Sequence, residues 1–186
     1  EQVHFLIGLP TTSFKDRFRF EAWIINALLG GGMTSRLFQS VRERKGLVYS
    51  VHSSLNSYED CGQMLIYAAT DAEKVQELTE VVTHELKKLK RKGVTRGDVD
   101  LFKTQVKGAL LLGSDDVENR MHSLAVNEIV FGHYRSVESV IEEIDQITAD
   151  SVNQFLDTRF NTKQVSGVLL GEGVSRLESW WKEVEF

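Results

Sequence analysis

Hydrophobic positions along the chain recur with two periods, one for strands and one for helices. VHFLIGLP (3–10) is a short apolar run closed by Pro10, which predicts a buried strand. In SFKDRFRFEAWIINALL (13–29), Phe14, Phe18, Ala22, Ile25 and Leu29 recur at helical spacing, with Ser13 as a cap and the glycines at 30–32 as a stop. Leu37, Phe38 and Val41 then mark a second helix capped by Thr34 or Ser35. LVYSVHSSLNSY (47–58) is rich in β-formers and predicts a strand. After a turn at Asp60, CGQMLIYAAT (61–70) returns antiparallel to it, apolar on both faces, so helices are expected over at least one face.

Helices dominate from there on. One starts at Asp71, lines up Val75, Leu78, Val82, Leu86 and Leu89, and stops at Gly93. Thr95 with Asp98 resembles a capping box and opens another, ending near Gly113. Further helices start at Ser114 (stopping near Gly132), at Ser136, and at Thr148. QVSGVLLG (164–171) is apolar enough to return to the sheet, and SWWKEVEF at the end predicts a short helix with two docking tryptophans. Strands at the start, middle and end with helices between them predict an α+β layered domain over 1–186, its mostly antiparallel sheet covered by helices.

Composition narrows the function. The 186 residues include 41% hydrophobic and 26% charged side chains, ordinary for a globular protein. The net charge of -5 argues against a nucleic-acid partner. The basic run KKLKRK (87–92) sits where a helix C-terminus favours cations. No apolar run approaches the roughly 20 residues of a membrane span, so no membrane partner is expected. Cys61 is the single cysteine, which excludes an internal disulfide and is compatible with a reducing compartment; a cytoplasmic location and a buried strand position for Cys61 are the expectations.

Several chemistries fail on spacing. Gly30 and Gly32 follow a helix, and a dinucleotide loop needs glycine where Ser35 stands. In HELKK, Lys88 occupies the place of the second histidine of a helical zinc site, and none of the five histidines is followed three residues on by glutamate. No G-x-S-x-G elbow occurs. Composition and spacing therefore describe a chain without a metal site or a complete catalytic set of its own.

One stretch remains: GGGMTSRLFQSVRERKGLVYS (30–50). Its Ser35, Arg36, Leu37, Phe38, Gln39, Val41, Arg42, Glu43, Gly46, Leu47, Tyr49 and Ser50 fall in register with a motif of pitrilysin/insulinase-type zinc metallopeptidases, the group that includes the mitochondrial processing peptidase. The chain resembles the C-terminal, zinc-free domain of that family over nearly its whole length. The resemblance implies a half-chamber architecture, with the zinc and its H-x-x-E-H ligands in a domain or subunit outside this chain, and a peptide as substrate. It also implies that Arg42 and Tyr49, seven positions apart, reach across the chamber to the substrate. The tyrosine hydroxyl would act as an oxyanion donor, worth roughly 3 kcal/mol in a comparable case. The arginine fork would hold peptide carbonyls. Gly30, Gly31 and Gly32 would form a substrate loop, their bare backbone open to close approach by another chain. Two other readings stand beside this one: a non-proteolytic scaffold subunit of the same fold, and an unrelated binding module that docks through the glycine loop and the apolar tail.

Overall fold

The computed structural model describes residues 2–160 and 164–174. Strand β1 (Val3–Pro10) buries Val3, Phe5, Ile7 and Leu9 on one face, as its alternation requires. It pairs antiparallel with both β3 (Gly62–Thr70) and β4 (Ser166–Leu170), and β2 (Val51–Ser57) pairs antiparallel with β3. The sheet order is β2-β3-β1-β4. Met64, Ile66 and Ala68 continue the buried face across β3. The expected first strand, antiparallel middle pair and returning last strand are all present, so the α+β layered fold with an antiparallel sheet stands.

Helix α1 (Arg19–Gly30) lies on the buried face and sinks Ala22, Ile24, Ile25, Leu28 and Leu29 into the core. Helix α2 (Val75–Lys92) presents Val75, Leu78, Val82, Leu86 and Leu89, each fully buried, and each such side chain contributes about 2 kcal/mol of transfer free energy. Gly93, at φ +65° and ψ −154°, ends α2 in a backbone conformation open essentially to glycine alone. Helices α3 (Arg96–Ser114), α4 (Val117–Phe131), α5 (Val137–Asp145) and α6 (Ala149–Thr158) follow. Thr95 with Asp98 and Thr148 with Ser151 close reciprocal capping boxes, and the Ser136 side chain accepts from the Ser139 N–H. The other sheet face, carrying His4, Leu6, His52, Leu65, Tyr67, Val168 and Leu170, is exposed or only half-buried among the described residues, apart from the small buried Ala69.

Four local expectations are corrected. Helix α1 starts at Arg19, not Ser13, because residues 13–18 turn toward the β2–β3 hairpin: the Phe14 N–H donates to the Tyr58 carbonyl, and Asp16 Oδ1 accepts from the Phe18 N–H. Strand β2 starts at Val51, not Leu47, because Leu47 and Val48 turn inward as buried anchors and Thr70 Oγ1 donates to the Leu47 carbonyl at 2.6 Å. Helix α3 runs through Ser114, and the cap of α4 is Asp116, whose side chain accepts from the Asn119 N–H. Cys61 is exposed beside the turn before β3 rather than buried within the strand. The SWWKEVEF segment lies outside the described residues. No described helix is long and apolar enough to cross a membrane.

Candidate functional site

The 30–50 stretch folds into a corner between α1 and β2. Gly30 is the last residue of α1 rather than part of a loop, and a Cβ there would sit 2.3 Å from the Ser53 backbone N. Its bare backbone is thus taken up by this chain's own β2. At Gly31 an added Cβ would meet the preceding helical turn at Ala27, whereas at Gly32 it would meet nothing within 4 Å. Gly31 and Gly32 are exposed. Gln105 Nε2 donates to Thr34 Oγ1 at 2.9 Å, which fixes the loop against α3.

The expected second helix is a single α-type turn at Arg36 and Leu37 that widens into a π-helical segment, Phe38–Glu43. The Arg44 N–H reaches back five residues to the Gln39 carbonyl, and the Leu47 N–H reaches the Val41 carbonyl. Ser35 does not cap this helix through its side chain, since its buried Oγ has no hydrogen-bond partner among the described residues. Leu37 and Val41 are fully buried beneath the segment. The chain then turns at Lys45 and Gly46, where Gly46 adopts φ +60°. Lys45 Nζ pairs with Glu77 Oε1 of α2 at 2.7 Å, so the corner is tied at the turn and again at Leu47.

This anchoring brings Arg42 and Tyr49 together. The Arg42 guanidinium carbon lies 5.1 Å from the Tyr49 ring centroid and 4.7 Å from that of Phe38, within cation–π range of both rings. Its only ion pair among the described residues is a long one, 3.9 Å from Nε to Glu43 Oε1. Tyr49 is 79% exposed, and its hydroxyl makes no hydrogen bond among the described residues. Tyr49 sits in the loop before β2, not inside the strand, yet both side chains reach solvent next to one another. Phe38 as a second ring beside Arg42 was legible from their spacing of four on a helix. The tethers from Thr70 and Glu77 carry no local sequence signal.

Such a corner offers an oriented guanidinium and a free phenolic donor on a fixed base. It offers no metal cradle: no group of three histidine, cysteine, aspartate or glutamate side chains among the described residues could hold an ion.

The family model described as the peptidase M16 inactive domain matches residues 1–106. A protein named as an uncharacterised zinc protease of Bacillus subtilis (strain 168) is 37% identical over 153 residues, covering 82% of this chain and 37% of the relative. A similarly named protein of Mycobacterium bovis is 34% identical over 176 residues, covering 95% of this chain and 40% of the relative. The chain spans about two fifths of the length of these relatives. Among solved structures, a chain of complex III2 from Candida albicans, bound to Inz-5, superposes with a TM-score of 0.86 at 18% identity, over 98% of this chain and 46% of that one. The peptidase M16 inactive domain from Pseudomonas fluorescens superposes with a TM-score of 0.80 at 21% identity, over 90% of this chain and 40% of that one. Identities this low speak for the fold.

Proposed function

The chain belongs to the M16 peptidase family through its inactive domain, and on that premise we propose that it is the substrate-contacting, zinc-free domain of a zinc-dependent endopeptidase. The relatives are named as zinc proteases. The described residues hold no fitting ligand set, so zinc and its ligands belong, in this reading, to a domain or subunit outside the chain.

The observation that carries the proposal is the free hydroxyl of Tyr49, presented to solvent on a corner whose base is buried and tethered. In peptide hydrolysis, negative charge grows on the scissile carbonyl oxygen. The Tyr49 O–H donates to that oxygen, and the bond strengthens as the charge develops, which makes it a transition-state interaction. Arg42, steadied by the Phe38 and Tyr49 rings, points its N–H groups at neighbouring carbonyls of the extended peptide and holds the scissile bond in line. Gly31 and Gly32 leave the adjoining backbone bare for close approach of that peptide. A scaffold role without proteolysis is the second reading; the likeness to the complex III2 chain supports it as far as fold goes.

Photocross-linking tests contact. A benzophenone amino acid at position 49 of the complete protein, illuminated with an unstructured model peptide, is expected to capture the peptide. The same group at Tyr58, exposed at the far end of the β2–β3 hairpin, is expected to capture none. Equal labelling at the two positions contradicts a substrate site at Tyr49, and absence of both capture and turnover favours the scaffold.

A further inference from the structure

The open sheet face carries a group of chemistry-bearing side chains that the corner at Tyr49 does not use. Tyr67 of β3 stands between two histidines on the flanking strands. His52 of β2 lies directly opposite it, and His4 of β1 lies diagonal to it, opposite Ala69. The alternation of the strands puts all three side chains on one face. The small side chain of Ala69 leaves His4 room to lean over, and His4 Nδ1 comes to 2.7 Å from the Tyr67 hydroxyl. On the other side of the phenol, the His52 ring centroid lies 5.1 Å from that of Tyr67. Both imidazoles are exposed, and His52 makes no hydrogen bond among the described residues. Leu6 and Leu65, both half-buried, and the exposed Leu170 give the trio apolar surroundings.

Two imidazoles and a phenol on adjacent strands form a set of nitrogen and oxygen donors. Bonds of about 2.0–2.1 Å to one ion place neighbouring ligand atoms about 2.9 Å apart at a right angle. His4 and Tyr67 already stand close to that spacing, and His52, held by no hydrogen bond, is free to turn a ring nitrogen to the same point. The trio contains no carboxylate and no thiolate, and a phenol is not among the usual donors of hydrolytic zinc. Imidazole suits the later first-row ions, and of these copper(II) binds a given nitrogen and oxygen set most tightly. We propose that His4, Tyr67 and His52 form a binding site for a divalent transition-metal ion, copper(II) above zinc. Binding forms one bond from each imidazole and one from the phenolate oxygen; the phenol proton leaves to solvent, and no group is oxidised or reduced. The ion clips β1, β3 and β2 together across the open face. The site is independent of the peptidase reading.

Titration of the complete protein with copper(II), in the presence of glycine as a weak competitor, tests this. The expected result is bound copper marked by a visible phenolate-to-copper charge-transfer band, together with a rise in Tm. In Tyr67→Phe, which keeps the ring and loses only the oxygen, the band is expected to vanish. The difference between the parent and Tyr67→Phe isolates this site from any metal centre elsewhere in the protein. His4→Ala and His52→Ala are each expected to weaken the binding that carries the band by about tenfold or more, at least the cost of losing an outer partner of a metal ligand. His52 is exposed and makes no hydrogen bond among the described residues, so its variant removes a ligand and leaves the fold intact. A parent protein that shows no band overturns the proposal. A band that survives Tyr67→Phe, or whose titration is unmoved by His52→Ala, also overturns it, because the copper then sits on other residues.

Discussion

Gly30 and Gly32 look alike in the sequence and do different jobs. A methyl group at Gly30 would collide with the backbone of Ser53, which cannot give way without breaking the α1–β2 contact. Gly30→Ala is expected to lower stability by about 3 kcal/mol, the upper range for overpacking. At Gly32 the same methyl meets open space, so Gly32→Ala is expected to leave stability nearly unchanged. Thermal denaturation of both variants checks this, and equal losses would contradict the packing account. If the Gly32 backbone lies against substrate, its alanine variant raises KM while Tm stays put. A run of three glycines cannot reveal which of them a strand presses on, since Ser53 arrives from a distant part of the chain. Arg42 and Tyr49 were legible through their motif, but the tether at Thr70 was not. Cys61 was misjudged because its apolar neighbours belong to the strand that starts one residue later.

At the scale of elements, the stripe of α2 and the boxes at Thr95 and Thr148 were plain because their information is local. The starts of α1 and β2 were not. Periodicity runs on through 13–18 and 47–50, but a hydrogen bond from Phe14 to the Tyr58 carbonyl and one from Thr70 to the Leu47 carbonyl claim those segments for turns. A comparable long-range tie joins α3 to α5. Lys107 Nζ donates to Asp145 Oδ1 at 2.6 Å and, with Lys103 close by, holds that carboxyl below its ordinary range. A depressed folded-state value means that the stabilisation is present above the unfolded value of about 3.9 and is lost as pH falls through the folded value. Asp145→Asn is therefore expected to be less stable than the parent at pH 7, with the difference shrinking below about pH 4. Urea titrations across that range measure it, and a difference that persists undiminished in acid would rule out this linkage.

At the scale of the molecule, the layered α+β fold could be read from the order of strands and helices, and family membership through the 30–50 motif agrees with it. Sequence periodicity could not show that one sheet face and the α3–α4 hairpin lie open. An uncovered apolar row has the same period as a covered one, and only packing separates the two. The proposed peptidase function turns on the Tyr49 hydroxyl. Steady-state peptide hydrolysis by Tyr49→Phe in the complete, assembled protein isolates that role, since the ring and its place beside Arg42 are kept and only the hydroxyl is lost. Loss of the hydroxyl is expected to lower kcat about 100-fold with KM little changed; unchanged kcat, or a loss confined to KM, rules out the oxyanion role.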